Sequence, residues 1–307
     1  MYEEGFKWWN LGSASAVAFV LFLCILAITL VQLAVAKKAR SLILNLAVGL
    51  IAIVVLFPLV WMLSVSFMAP GEAAAFPPPL WPSRFTLEHY QDLFLNQGMG
   101  RYMWNSFALA VLATLLALSF TVPAGYAFAK LRFKGRERLF QLLVAALVVP
   151  AQIGTLPLFL MLKSMGLVNT YAGALVPWLA SIFGLFLVRQ YALSIPDEML
   201  EAARIDGASE GQIFRRVVLP TLQPIIVTLG LFVFLGSWND FLWPLIILTD
   251  QSNYTLPVAL AALSREHVQD IELMMAGAVV TVAPVLILFL ALQRYYIRGM
   301  LAGSVKG

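Results

Sequence analysis

Seven long apolar stretches dominate this 307-residue chain and constrain what it can fold into. A transmembrane helix needs about 20 mostly apolar residues, because each residue advances about 1.5 Å through a hydrocarbon core of about 30 Å. The stretches of suitable length are residues 13–36, 42–67, 104–129, 140–162, 172–190, 221–248 and 274–293. We therefore predict an all-α integral membrane protein with about seven transmembrane helices.

The composition supports this fold class. Hydrophobic residues make up 61% of the chain and charged residues only 12%, against about 45–50% and about 25% in a soluble domain. This balance disfavours a soluble enzyme, a disordered chain and a nucleic-acid-binding protein. The single cysteine, Cys24, cannot form an intramolecular disulfide, and the 2 histidines are too few for a His-rich metal site.

The lysines and arginines predict the orientation of the spans. With the N-terminus outside, three quarters of the 20 Lys and Arg residues fall in cytoplasmic segments, as expected from the retention of positive charge inside. An odd number of spans then places the C-terminus in the cytoplasm. The leading segment carries Glu3 and Glu4 against one Lys7, and its apolar run is longer than that of a signal peptide. We therefore expect a retained span rather than a cleaved leader.

The cytoplasmic segment after the fifth stretch carries signals for two short helices. Ser194 is placed to cap the first helix, and Gly207 to end it in a left-handed conformation. Ser209, followed three residues later by Gln212, is a capping-box pattern for the second helix. Pro220 then marks the entry into the next span.

The first of these two helices has a face that suits close contact with another surface. Met199, Ala202 and Ala203 lie on or near one face, and the two alanines are small. Glu201 has Arg204 three residues on and can pair with it, so the position of Glu201 does not by itself require a functional role. These residues alone leave two interpretations open: docking of a partner protein, or an amphipathic connector at the lipid surface.

The same segment resembles the EAA signature of ABC-importer permeases, E-A-A-x3-G-x9-I-x-L-P. The triplet Glu201-Ala202-Ala203, Gly207 and Leu219-Pro220 match the signature, and Val217 replaces its isoleucine. The resemblance implies that a coupling helix at 196–206 docks into an ATPase. It assigns this coupling to Glu201, Ala202, Ala203, Asp206, Gly207, Leu219 and Pro220.

Flanking residues narrow the resemblance to carbohydrate permeases of the maltose and glycerol-phosphate type. Residues 237–245 read SWNDFLWPL, and Asn105-Ser106 open the third stretch; both resemble the second permease of the heterodimer. The resemblance covers residues 41–307 and implies a six-span type I ABC permease core with a cytoplasmic coupling helix. Its EAA loop lies at about 194–220.

Residues 1–40 fall outside that core and resemble the last span of the partner permease. Residues 8–16 read WWNLGSASA, a long apolar run follows, and Lys37-Lys38 end the segment. A natural fusion remnant and a start site inside a longer reading frame both fit this pattern. We expect an extra N-terminal span at 1–40 followed by the permease domain.

The resemblance also implies partners. The chain has no G-x-x-x-x-G-K-[ST] phosphate loop, so ATP and Mg²⁺ are expected in two cytoplasmic ABC ATPase subunits and no cofactor or metal in this chain. A second permease, an extracytoplasmic solute-binding protein and membrane lipid are the other expected partners, without nucleic acid. The chain is then a transport subunit for a sugar, oligosaccharide, polyol or glycerol phosphate in a bacterial or archaeal inner membrane, and not an enzyme.

Polar and aromatic residues near the outer ends of spans are candidates for the translocation pathway or the permease interface: Asn105, Trp238, Asn239 and Asp240. The tryptophan fits packing or an interfacial belt, and also stacking on a sugar. For Asp240 we expect contact with the other permease or the binding protein, and for Asn105 helix packing.

A secondary transporter is the main alternative. Such a protein requires ionisable groups inside its spans and a detectable repeat, and the middles of these stretches are nearly free of charge. An ion channel and a membrane enzyme lack support for similar reasons, since neither a filter loop nor a cluster of His, Asp and Glu is visible.

Overall fold

The structure is a computed structural model that describes residues 42–266 and 270–302. The predicted span at 13–36 lies outside these residues. The chain divides into two compact units, residues 1–61 and 62–307. Every regular element in the described ranges is helical, which confirms the predicted all-α class.

The first seven helices run from the start of the described residues to the candidate coupling segment. They are Leu42–Val65 (α1), Glu88–Leu95 (α2), Met99–Lys130 (α3), Arg136–Ala146 (α4), Thr155–Ser164 (α5), Tyr171–Leu175 (α6) and Ile182–Leu193 (α7). A 3₁₀ turn at Ala151–Gly154 leads into α5, and another at Val176–Trp178 extends α6.

The remaining helices begin with the candidate coupling segment. They are Asp197–Ile205 (α8), Glu210–Ile213 (α9), Gln223–Trp238 (α10), Leu242–Ile247 (α11), Leu256–Glu266 (α12) and Ile271–Ala302 (α13). A π-helical turn at Phe214–Val218 and a last turn at Leu219–Thr221 continue α9.

Up to six segments of the described residues are long and apolar enough to cross a membrane. Three are single helices, at Asn45–Val65, Met99–Lys130 and Ile271–Ala291. Three are bent pairs: Arg136–Ala146 with Ala151–Ser164 at 93°, Tyr171–Trp178 with Ile182–Leu193 at 44°, and Glu210–Thr221 with Gln223–Trp238 at 76°. With the predicted span at 13–36, these segments agree with about seven transmembrane helices.

Three of the predicted spans are not continuous helices, and the stretch 172–190 is broken between Trp178 and Ile182. The stretch 140–162 is interrupted between α4 and α5, where Pro150 disfavours a helical conformation of the residue before it. The stretch 221–248 ends its main helix at Trp238 and resumes at Leu242. Hydropathy does not reveal these breaks, because apolar residues continue on both sides of them.

The 32-residue helix α3 is the central element of the larger unit. It packs along both α7 and α10, and its buried residues include Ala113, Ala117, Gly125 and Ala129. Small residues let helix axes approach closely, which stabilises helix pairs where lipid supplies no hydrophobic driving force.

Hydrogen bonds fasten the segment between α1 and α2, on the predicted outer side. The Glu72 carboxylate accepts from the backbone N–H of Ser83 at 2.6 Å and of Ala69 at 2.9 Å. These donors, Ser83 first, hold the pKa of Glu72 below its usual value. Glu272 of α13, only 1% exposed, accepts from the backbone N–H of Ala73 at 2.7 Å.

Candidate functional site

Helix α8 has one face in the core of the protein and one face exposed. Leu200 is 2% exposed and belongs to the core cluster, against which Ala203 also packs. Glu201 and Ala202 are exposed, and Ile205 is 87% exposed. Of the two alanines predicted to contact another surface, only Ala202 is available, because Ala203 is used in internal packing.

The beginning of α8 is tied to the end of α3. The Lys130 ammonium group donates to the carbonyl oxygen of Ile195 at 2.6 Å and to Asp197 Oδ1 at 2.7 Å. This hydrogen bond lowers the pKa of Asp197. Because Asp197 lies in the first turn of α8, its negative charge also favours the positive end of the helix dipole.

The predicted cap of α8 is wrong. The Ser194 hydroxyl donates back to the carbonyl oxygen of Tyr191 at 2.7 Å. Pro196 occupies the N-cap position and supplies no side-chain cap. Lys130, from a distant part of the chain, holds the start of the helix instead.

The end of α8 follows the prediction. Gly207 has a φ of 79°, the left-handed conformation that glycine adopts without a steric penalty. The N–H of Ala208 donates to the carbonyl oxygen of Ala203, and that of Gly207 to Arg204, which is the Schellman pattern for ending a helix. Asp206 is the exposed residue at the C-cap.

The turn after α8 is held from both sides. Ser209 and Gln212 form the predicted capping box at the start of α9. Arg204 Nε lies 2.7 Å from Glu210 Oε1, and this hydrogen bond raises the pKa of Arg204. Arg204 therefore pairs with Glu210 and not with Glu201, the partner that the spacing allows: the tight turn brings the start of α9 to Arg204 and leaves the Glu201 carboxylate on the exposed face.

The second half of the loop turns the chain back into the apolar region. Ile213 and Val218 are buried in the same cluster as Leu200, and Leu219 packs against it. Pro220 is exposed and lies in the last turn before the 76° bend into α10, where the sequence predicted entry into the next span.

Two of the predicted pathway residues have structural contacts in the described residues. Asn105, 2% exposed, donates from Nδ2 to the carbonyl oxygens of Ser252 at 3.0 Å and Tyr254 at 2.9 Å. Trp238, also 2% exposed, donates from Nε1 to the carbonyl oxygen of Thr281 at 3.2 Å. Both contacts fit the packing roles that were among the expectations for these residues.

The other two pathway candidates lie at the break after α10. Asn239 is exposed and donates to the carbonyl oxygen of Leu235 in its own helix at 2.8 Å. Asp240 is half-buried and accepts from the backbone N–H of Trp243 at 3.4 Å. Asp240 also lines a cavity at this break, and Trp238 lines a separate cavity on another side of α10.

Sequence reasoning assigned no site role to Lys130 or Arg189, which entered it only as cytoplasmic charges. Arg189 of α7 pairs with Glu137 of α4 at 3.2 Å, and its guanidinium carbon lies 3.9 Å from the centre of the Phe140 ring. Together, Lys130 and Arg189 bind α3, α4, α7 and α8 to one another at the predicted cytoplasmic side. In the sequence, only the position of these two residues at the inner ends of apolar stretches could have indicated this structural role.

Comparison with known proteins defines the family. A model of the binding-protein-dependent transport system inner membrane component matches residues 117–302. The chain is 36% identical over 275 residues to the arabinooligosaccharides transport system permease protein AraQ of Halalkalibacterium halodurans, covering 87% of this chain and 97% of that protein. It is 33% identical over 259 residues to the diacetylchitobiose uptake system permease protein NgcG of Streptomyces coelicolor, covering 83% and 84% of the two chains.

A solved structure shares the fold. The crystal structure of a bacterial ABC transporter involved in the import of alginate aligns with a TM-score of 0.71 at 24% identity, covering 84% of this chain and 99% of that chain. The chain belongs to the family of binding-protein-dependent transport system inner membrane components. It is thus a multi-pass inner-membrane protein and a permease subunit of an ABC importer.

Proposed function

We propose that this chain is the second permease subunit of a heterodimeric, ATP-driven importer of carbohydrate: a sugar, oligosaccharide, polyol or glycerol phosphate. The names of its relatives support this substrate class, because they refer to arabinooligosaccharides and diacetylchitobiose. The chain translocates substrate delivered by an extracytoplasmic binding protein. ATP and Mg²⁺ are used by two separate cytoplasmic ATPase subunits.

The exposed face of α8 is the observation that carries the coupling role. Glu198, Glu201, Ala202 and Ile205 follow the i, i+3, i+4, i+7 pattern of one helix face, and all four are exposed. Ile205 is 87% exposed, and a docked ATPase would cover its apolar side chain together with the rest of this face. An ATPase cleft with a basic or polar group for Glu201 suits this face, and Ala202 permits close approach.

Movement of the ATPases reaches the spans through the attachments of α8. Leu200 anchors the helix in the core, and Lys130 joins its first turn to α3. A displacement of α8 therefore moves the inner ends of the spans as a body, as in rigid-body switching at an interface. ATP drives the change because it binds one arrangement of the ATPase pair more tightly than the other.

The proposal includes the placement of the chain. The N-terminus lies outside, the C-terminus is cytoplasmic, and residues 1–40 form an additional span before the permease domain at 41–307. An epitope tag at residue 1 should be reached by antibody from the outer face of intact spheroplasts. Labelling that requires permeabilised membranes would contradict this orientation.

Co-purification from native membranes in mild detergent tests the function. We expect the tagged chain to bring down an ATPase, a second permease and a solute-binding protein, and reconstituted complexes to import a radiolabelled carbohydrate only with ATP. A matched preparation of another membrane complex shows that assemblies survive the detergent. Recovery of this chain alone from such a preparation would refute the importer subunit.

A further inference from the structure

A cavity of about 520 Å³ lies where three interrupted segments meet. Gln152 and Thr155 come from the break before α5, Trp178 from the end of the turn after α6, and Asp240 from the break after α10. Non-helical backbone at membrane depth is tolerated where it lines a water-filled cavity. Interrupted helices of transporters gather around substrate for the same reason.

The Trp178 ring packs against α10 at a glycine, which has no side chain to displace it. A Cβ atom at Gly236 of α10 would lie 2.8 Å from Cη2 and 3.1 Å from Cζ3 of Trp178. Glycine at this position therefore lets the indole lie directly against α10. The half-buried ring lines the cavity, and an aromatic face of this kind packs against the apolar C–H face of a sugar.

The polar groups of the cavity supply hydrogen bonds around that ring. Asp240 accepts from the Trp243 N–H at 3.4 Å, and two further neutral donors, the Leu242 N–H and the Trp178 indole, interact with its carboxylate. Within the described residues, no Lys, Arg or His forms an ion pair with Asp240. A carboxylate in an apolar segment is costly without a partner. Sugar hydroxyl groups are suitable partners, because a carboxylate accepts several hydrogen bonds at once.

We propose that this cavity is a carbohydrate subsite on the permease itself. Trp178 stacks on one sugar ring, and Asp240 with the amide of Gln152 holds hydroxyl groups of that ring. The subsite deepens the proposed function and rests on it. Asp240 then contacts substrate, whereas the sequence alone suggested contact with a partner protein.

Import by the reconstituted complex is the first test, with arabinotriose and diacetylchitobiose as probes. We expect Trp178→Ala and Asp240→Asn each to lower import of the better probe about tenfold, the loss expected for a charge-assisted hydrogen bond or its equivalent. Trp178→Phe keeps a ring and should recover part of the rate. The matched control Trp104→Ala removes a side chain that is 65% exposed and away from the cavity, and should stay within about twofold of wild type.

Cysteine protection is the second test and does not depend on transport rate. Since Cys24 is the only cysteine, a Cys24→Ser background allows Thr155→Cys in the cavity and Ser264→Cys on the exposed surface of α12 to be labelled separately. In the assembled complex with loaded binding protein and ATP, trapped before hydrolysis, the probe should slow methanethiosulfonate labelling at position 155 several-fold. Labelling at position 264 should not change.

The outcomes separate the two proposals. Failure of the wild-type complex to import any member of a panel of sugars, oligosaccharides, polyols and glycerol phosphate, the two probes included, counts against the proposed function, and the subsite falls with it. Wild-type import together with unchanged rates in Trp178→Ala and Asp240→Asn, or unprotected labelling at position 155, overturns the subsite alone. Reduced import with protection at position 155 supports both.

Discussion

Lys130 Nζ lies 2.7 Å from Asp197 Oδ1, so one ammonium group joins the last turn of α3 to the first turn of α8. The lysine side chain is 7% exposed, whereas that of Asp197 is 73% exposed. The cation is therefore largely buried at the end of α3, and its exposed partner lies on the candidate coupling helix. This attachment makes Lys130 a positioning residue for α8.

Lys130→Ala should uncouple ATP hydrolysis from import. The substitution removes the donor to both Ile195 and Asp197, so apolar packing, chiefly that of Leu200, is what still joins α8 to the core. Import per ATP hydrolysed should fall about tenfold, within the range typical of coupling between sites. The control Lys134→Ala removes an exposed lysine from the neighbouring turn and should keep wild-type coupling; equal loss in both variants would contradict the positioning role.

Glu201→Lys should abolish import while leaving the protein in the membrane. The residue is exposed, so we expect reversal of its charge to act chiefly on the docked ATPase. Import should fall about tenfold or more, with normal membrane levels on immunoblots. Glu88→Lys makes the same change at an exposed site on the predicted outer side and should be neutral. Wild-type import by Glu201→Lys would count against docking through this face.

Gly207→Ala should destabilise the loop after α8. Its φ of 79° is left-handed, a conformation that costs an alanine about 1–2 kcal/mol. Gly211→Ala is the matched control, because Gly211 lies in α9 with nothing within 4 Å of an added Cβ. Thermal unfolding of the purified complex should shift downward for Gly207→Ala only. A shift of equal size and sign in both would show that backbone conformation is not the cause.

Asn105→Leu should loosen the loop between α11 and α12. The variant has similar volume but leaves two half-buried carbonyl oxygens, those of Ser252 and Tyr254, without this donor. An unsatisfied buried acceptor costs about 1–3 kcal/mol, so hydrogen exchange across residues 249–255 should accelerate measurably. Asn96→Ala removes an exposed amide and should leave that exchange unchanged. Unaltered protection in Asn105→Leu would mean that other contacts hold the loop.

Acid should loosen the segment around Glu72. The pKa of Glu72 is lowered in the folded protein from its ordinary value of 4.5. Its contribution is therefore fully present above 4.5 and is lost as the pH falls through the lower folded value. Limited proteolysis of residues 68–86 by an acid-active protease should accelerate in that window. Glu72→Gln should be cleaved at a rate that depends less on pH, and an unchanged pH dependence would refute the role of this carboxylate.

Features fixed by neighbours in sequence were the ones that could be predicted. The six apolar stretches within the described residues correspond to helices or bent pairs, because membrane thickness sets one length for all of them. The left-handed Gly207 and the capping box of Ser209 with Gln212 also follow from residues within one turn of each other. Ser194 failed as a cap because an equally local acceptor, the carbonyl oxygen of Tyr191, takes its hydroxyl proton.

Contacts that join distant parts of the chain could not be predicted from the sequence. Lys130 and Asp197 are 67 residues apart, and no periodicity relates them. The cavity lined by Trp178 and Asp240 forms where three helix breaks meet. In the sequence these breaks are marked only by isolated prolines within apolar runs. Arg204 illustrates the same limit, because it forms its ion pair with Glu210 across the turn and not with the nearer residue in sequence, Glu201.

Helix α3 forms side-chain hydrogen bonds near both of its ends. Asn105 binds the outer loop near one terminus, and Lys130 binds α8 at the other. The two residues stand about 37 Å apart along the axis, at about 1.5 Å per residue. A tilt of about 10° about the middle of this helix, whose interior contains Pro123, carries the two ends about 3 Å in opposite directions. Displacement of α8 by the ATPases would therefore shift the outer loop contacted by Asn105. No chain of side-chain rearrangements between Lys130 and Asn105 would be required.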